Sequence, residues 1–218
     1  MNVIILWALL CVCAYLIGSV PFGYLAGKLI HHQDIRSRGS GNIGATNALR
    51  QYGTRTAVLV LILDILKGFV VAWLLYRVVP ERFYPILSEN SLDPFLYSLP
   101  ALAVILGHMH SVFLRFKGGK GVATAAGVFL YIAPLPLLGA LLVFVIVAAV
   151  TKYVSLSSII AAASLFIIHF IWNLIGRGPF PWLTLVIAVL IIIKHSQNIQ
   201  RLLEKRENKL SFRTKGGS

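Results

Sequence analysis

Apolar residues run almost unbroken over about 3–27, 56–76, 96–114, 155–175 and 180–193. A helix needs about 20 such residues to cross the roughly 30 Å hydrocarbon core of a bilayer. Within that core only structures that satisfy their own backbone hydrogen bonds persist. An all-α integral membrane protein is therefore expected, folded as a single polytopic domain over 1–218. The stretch 121–150 would reach about 45 Å as one helix, at roughly 1.5 Å per residue. Pro134 and Pro136 interrupt its middle, so two short helices are expected, about 121–133 and 137–150.

Charge orients the spans. The chain carries 20 Lys+Arg against 7 Asp+Glu, a net charge of +13. Its mean hydropathy is +0.83. Nucleic-acid binding would account for the charge but not for the apolar runs. Anionic headgroups or phosphorylated substrates account for both. Lysines and arginines gather in loop 28–55, in loop 115–120 and in a basic tail from about 194. The positive-inside bias places all three in the cytoplasm. Seven spans, N-terminus outside and C-terminus cytoplasmic, some of them short, satisfy this count, with loop 77–95 outside. The N-terminus has no basic n-region, so its first apolar stretch reads as a retained span. Cys11 and Cys13 stand together in an apolar run and read as small buried hydrophobes.

Two loops carry chemistry. The first is GSGNIGATNALR, Gly39 to Arg50. Gly39, Gly41 and Gly44 let backbone N–H groups converge on an anion. Ser40, Asn42, Thr46 and Asn47 add neutral hydrogen bonds, and Arg50 adds a charged fork. The glycines also match a dinucleotide fingerprint, with Asp64 about 20 residues on. Membrane-length runs flank the match, so it supports phosphate binding and not nicotinamide. A flexible linker is the plain alternative. The second is GHMHSVFLRFKGGKGVAT, Gly107 to Thr124. Lys117 and Lys120 flank Gly118 and Gly119, and Gly121 opens the next helix, a ready anion site. The plain alternative is a basic loop that only sets topology. His108 is either catalytic or a packed histidine.

Three further features are weaker. Asp64 and Lys67, three apart in the second span, can pair on one helix face. They either orient helices or relay a proton. Ser155 precedes a span and suits an N-cap. The segment Lys194 to Lys209 reads as a basic amphipathic tail, with Asn198 one turn beyond the last span.

These segments, in this order, resemble the bacterial acyl-phosphate-dependent glycerol-3-phosphate acyltransferases of the membrane. GSGNIGATN and GH…FKGGKGVAT are similar to that family's first two signatures, and the C-terminal block to its third. One departure is Lys205, where the family carries a glycine. The resemblance implies a seven-helix fold in the bacterial cytoplasmic (inner) membrane, with the active site facing the cytoplasm. It implies attack of the sn-1 hydroxyl of glycerol 3-phosphate on acyl phosphate, yielding lysophosphatidic acid and phosphate, the first step of phospholipid synthesis. It places Ser40, Arg50, Lys117, Lys120, Ser155, His195 and Asn198 at the site. Partners would be the two substrates, membrane lipids and a soluble acyl-phosphate-producing enzyme, but no nucleic acid.

Acyl phosphate is a mixed anhydride and already activated, so no cofactor, metal or covalent nucleophile is expected. The work left is to hold two phosphates close and to stabilise developing charge. His108, His195 or a substrate phosphate could accept the hydroxyl proton. The competing reading is a transporter of phosphate or an organic phosphate, which short broken helices would suit.

Overall fold

The computed structural model describes residues 3–78, 94–175 and 181–210. These form a helical bundle. Seven helices are apolar: α1 (Val3–Ser19), α4 (Thr54–Trp73), α5 (Pro94–Met109), α6 (Val122–Ile132), α7 (Pro134–Thr151), α8 (Val154–Leu174) and α9 (Pro181–Lys194). Three shorter helices gather at one end: α2 (Phe22–Ile30), α3 (Ala45–Tyr52) and α10 (Ser196–Leu203). By length and composition four segments can cross a membrane, and a fifth if α9 and α10, bent by 57°, act as one. The connection 79–93, expected outside, and residues 211–218 lie outside the described residues.

The run 3–27 falls within one membrane-length segment, Ile4–Ile30, with Pro21 separating α1 from α2 inside it. Two expectations need correction. The break in 121–150 falls at Ala133, but only α6 is short. Pro134 and Pro136 stand in the first turn of α7, where a missing N–H removes no helical hydrogen bond. That helix therefore starts early and runs 18 residues, about 27 Å. The tail, lastly, is no free amphipathic strand on lipid. It folds back, and Leu210 N–H donates to the Lys152 carbonyl at 2.7 Å.

The bundle is apolar outside and around an apolar core, and its charged groups on α4 turn inward between helices. On α4, Leu66 and Val70 are exposed while Asp64 and Lys67 are buried. That inversion is what lipid selects, since a polar group facing hydrocarbon finds no partner. Glycines let two helix pairs touch backbone to backbone, as small residues do in membrane bundles. Between α4 and α6, a Cβ on Gly68 would stand 2.1 Å from the Thr124 carbonyl oxygen. One on Gly127 would stand 1.9 Å from that of Ile65. Between α1 and α5, Gly18 meets Val104 and Gly107 meets Tyr15 in the same way.

These seams fix the level of the α5–α6 turn, and with it the second basic loop. Gly127→Val should push α4 and α6 apart at a cost of about 1–3 kcal/mol or more. A clear fall in the thermal unfolding midpoint in detergent is the expected readout. Gly139→Ala, which meets only the flexible Ile168 side chain, should shift it less.

Candidate active site

The first loop is built around one buried amide. Asn47, on the first turn of α3, is 1% exposed. Its Oδ1 accepts from Ser40 N–H at 3.1 Å, and its Nδ2 donates to the carbonyls of Ile35 at 3.0 Å and Asn42 at 2.8 Å. Gln51, one turn on, donates to the Ile35 and Arg38 carbonyls. Gly39 takes φ +64° against this amide, and a Cβ there would lie 2.3 Å from Asn47 Oδ1. Asn42 Oδ1 accepts from Gly44 N–H at 2.9 Å. Asn47, Gly44 and Asn42 Oδ1 thus shape the loop, and the shape presents Ser40.

The second loop rests on a buried cluster. Lys67 Nζ donates to Asp64 at 2.8 Å, to His108 Nδ1 at 2.8 Å and to the Val20 carbonyl at 3.2 Å. His108 in turn accepts Gly119 N–H on its carbonyl at 2.9 Å, and its ring packs directly under Gly119. His108 therefore supports the floor of the loop and does not face the cleft. Gly121, at φ +82°, is likewise packed on Met109 as the α6 N-cap.

The tail supplies the third side. Helix α10 ends in a paired turn: Arg206 N–H donates to the Arg201 carbonyl at 2.7 Å and Lys205 N–H to that of Leu202 at 3.1 Å. This motif places its C′ residue in the left-handed region. Lys205 occupies it at φ +56°. The turn that glycine makes cheaply is kept here by lysine. It swings Glu207 inward, where the carboxylate accepts from Ser155 Oγ at 3.0 Å, Asn198 Nδ2 at 2.7 Å and Arg201 Nε at 2.8 Å. Burial raises the Glu207 pKa, but these donors, Arg201 foremost, outweigh it and hold the group ionised. Arg50 donates to the Asn208 carbonyl at 3.2 Å.

Lys120 completes the site. Its Nζ donates to Asn198 Oδ1 at 2.5 Å, so Asn198 bridges Lys120 and Glu207. Burial is the main cause that brings the Lys120 pKa down to about 8. Glu207 opposes it, while Arg201 and Arg50 reinforce it. His195, buried between α9 and α10, pairs Nδ1 with the Ile191 carbonyl at 2.8 Å. A carbonyl only accepts, so Nδ1 carries the proton and Nε2 is left as an acceptor.

These elements enclose a cleft of about 300 Å³, lined by Ser40, Gly41, Asn42, Gly118, Gly119 and Lys120 from the two loops. Ser196, Gln197, Asn198 and Arg201 of α10 face them. The first turn of a helix carries N–H groups without intrahelical partners, which suits an anion. Of the sequence candidates, Ser155 acts through Glu207 and Arg50 through the tail backbone. Lys117 is exposed and outside the lining, Thr46 is half-buried on α3, and His108 and Asn47 lie beneath. Sequence reading missed Arg201, Glu207 and Lys194, the last holding the Met109 carbonyl at 3.0 Å. Nothing distinguishes them from other charges of the tail.

Comparison with known proteins decides the family. A family model described as glycerol-3-phosphate acyltransferase matches residues 8–205. The chain belongs to this family. It is 45% identical to glycerol-3-phosphate acyltransferase 2 of Bacillus anthracis, over 91% of this chain and 96% of that one. It is 46% identical to glycerol-3-phosphate acyltransferase of Trichlorobacter lovleyi, over 90% and 93%. Two crystal structures of PlsY, an integral membrane glycerol 3-phosphate acyltransferase, superpose over 94% of this chain and 96% of theirs. The glycerol 3-phosphate form gives a TM-score of 0.80 at 39% identity. The lysophosphatidic acid form gives 0.77 at 38%.

Glu207 and Lys205 make separable predictions. Glu207→Ala leaves Arg201, Asn198 and Ser155 without an acceptor, a loss of about 1–3 kcal/mol. The thermal midpoint should fall, and steady-state acyl transfer with it. Lys205→Gly keeps the turn and removes the left-handed strain, worth roughly 1 kcal/mol. Its midpoint should hold or rise.

Proposed function

We propose that this cleft transfers a fatty acyl group from acyl phosphate to the sn-1 hydroxyl of glycerol 3-phosphate. Lysophosphatidic acid and inorganic phosphate leave, in the first step of phospholipid synthesis. The observation that carries the reading is the convergence of Ser40, Lys120, Asn198 and Arg201 on one cleft, with Arg50 beside it. The relatives crystallised in glycerol 3-phosphate and lysophosphatidic acid forms support that substrate and that product.

The roles follow from the groups. Lys120, Arg201 and the first-turn N–H groups of α10 neutralise the phosphates as they approach, a task for charge-assisted donors. Arg50 holds the tail across the site and offers its remaining N–H donors to glycerol phosphate. Ser40 orients the acceptor hydroxyl. The hydroxyl oxygen attacks the acyl carbonyl, the C–O bond to phosphate breaks, and phosphate leaves with the electron pair. The proton passes to the Nε2 of His195 or directly to the departing phosphate. Positioning and charge stabilisation supply most of the acceleration.

The same proposal orients the chain. Seven spans put the N-terminus outside and the cleft on the cytoplasmic side of the bacterial inner membrane. Supporting it, loop 31–53, loop 110–121, the α7–α8 connection and the tail all meet at one end of the bundle. From that side a soluble enzyme could deliver acyl phosphate.

Purified protein should form lysophosphatidic acid and release phosphate from acyl phosphate, and should not use acyl-CoA. Comparable turnover with acyl-CoA, or no phosphate release, would overturn the assignment. Lys120→Ala should lower kcat/KM by about 10- to 150-fold, the equivalent of roughly 1.5–3 kcal/mol. Arg50→Lys should also lower it, since a point charge does not replace a fork. Lys209→Ala, on the exposed tail, should change little.

The charge of Lys120 predicts a pH limb. The pKa is depressed to about 8, so the cation is complete below that value and lost as pH rises through it. A plot of kcat/KM, which reports the free enzyme, should bend downward near pH 8. In Lys120→Arg the bend should move beyond the accessible range. An unchanged bend in that variant would remove Lys120 as its source.

A further inference from the structure

Between α5 and the glycine floor of the cleft lies a short loop that the proposed chemistry leaves unused. Val112–Leu114 forms a single 3-10 turn, followed by Arg115 and Phe116 in the left-handed region at φ +53° and +62°. Neither residue favours that region, and a bulky one there is a marked outlier. The conformation directs side chains outward. Phe113 is 60% and Phe116 61% exposed, and Val112 is exposed beside them. Arg115 and Lys117 are exposed as well.

The depth of this loop can be read from its packing. Leu114 is buried in one cluster with Ala26 of α2, with Ile35, Ile43 and Ala48 of the first loop and α3, and with Ala57 and Val60 of α4. Ala57 and Val60 stand on the first two turns of α4, where its apolar run begins. At the same level Val58, Leu59, Leu61 and Ile62 are exposed on α4, and in a membrane protein such residues face lipid. The loop is thus level with the start of the α4 apolar run, beside the first loop. Its backbone suits that place. The N–H groups of Leu114, Arg115, Phe116 and Lys117 donate to the Ser111, Val112, Ser111 and Leu114 carbonyls at 3.1, 3.3, 2.8 and 3.1 Å. Four donors that water would otherwise have to satisfy are paired inside the loop.

We infer that Val112–Lys117 is a membrane wedge. Phe113 and Phe116 enter the boundary between headgroups and acyl chains, and Arg115 and Lys117 engage lipid phosphates on the polar side. Phenylalanine in an interfacial segment buries its apolar ring at the headgroup–acyl boundary, and basic residues there gain from anionic lipid. The wedge connects to Gly118, Gly119 and Lys120 without a break, so it holds the cleft at a fixed height against the bilayer surface. This assignment does not depend on the reaction proposed above.

The test measures depth, not activity. Nitroxide labels are placed singly at Phe113→Cys, Phe116→Cys and Val112→Cys in a Cys11→Ser, Cys13→Ser chain. Each protein is reconstituted in vesicles of phosphatidylcholine and phosphatidylglycerol. Collision with oxygen, which partitions into lipid, is compared with collision with a water-soluble nickel chelate. A label at Val58→Cys on α4 gives the lipid reference, and one at Lys209→Cys the aqueous reference. The wedge requires labels at 113 and 116 to match the Val58 position in their preference for oxygen. Nickel collision equal to that at position 209, at both positions, overturns it. The 112 label serves where a substitution at 113 or 116 prevents folding. Replacing phosphatidylglycerol with phosphatidylcholine should shift the phenylalanine-site labels toward nickel if Arg115 and Lys117 hold lipid phosphate. No shift would restrict the wedge to its apolar contact and overturn the role of the two cations.

Discussion

Lys67 brings a cation and three N–H donors into the buried interior of the bundle, and the upper half of the site depends on how it is satisfied. A buried charge is tolerable only when paired and fully hydrogen-bonded. Asp64, His108 and the Val20 carbonyl meet that demand from three elements. In meeting it they join α4, α5 and the α1–α2 turn at one level. Neighbouring contacts repeat the pattern. Ser111 donates to the Ser19 carbonyl and Tyr15 to that of His110, both at 2.5 Å. Lys194 takes Met109. Thus the carbonyls of residues 108, 109 and 110, which the end of α5 leaves without helical partners, are each claimed by another element. The glycine loop begins from this fixed end, and the placement of Lys120 is inherited from it.

The lower half is organised by the opposite sign. Glu207 is the carboxylate that α10 and the tail bring into the cleft wall, and it binds Arg201, Asn198 and Ser155 together. Asn198 relays it to Lys120. Ser155 lies half a chain away from the first loop, yet it serves the site through that carboxylate. The turn that delivers Glu207 passes through Lys205 in a conformation better suited to glycine. That lysine retains it shows that the surrounding contacts, including Leu210 on Lys152 and Arg50 on Asn208, determine the tail's path more strongly than local preference does.

Much of this is legible in the sequence. Apolar runs exposed the helices because lipid removes the choice of other structures. The two glycine-rich loops stand out because positive φ and close packing, as at Gly39 on Asn47 and Gly121 on Met109, leave few residue types. What stayed hidden has a common cause. Asn47 and His108 carry the same atoms whether they touch a substrate or the backbone beneath it, and only burial separates the two uses. Glu207 and Arg201 sit among like residues of a charged tail, where composition is silent about which one turns inward. The length of α7 is hidden because proline breaks a helix interior but is compatible with a first turn, where Pro134 and Pro136 stand.

The cleft as it stands is electrostatically incomplete. Arg50, Lys120 and Arg201 gather around Glu207, leaving more positive than negative charge in a partly dehydrated space. Burial first, and then repulsion from Arg201 and Arg50, makes Lys120 hold its proton less tightly than a free lysine does. In the proposed reaction, two phosphates entering such a space bring negative charge, so their binding relieves the repulsion and tightens the hold of Lys120 on its proton. A third consequence follows for the reaction itself. As the acyl–phosphate bond breaks, negative charge grows on the departing phosphate, and the donors needed to stabilise it are already in place. They were positioned by folding, at the expense of conformational entropy that the bundle had already lost. No reorganisation remains for the moment of transfer, which is the condition under which preorganised charge is most effective.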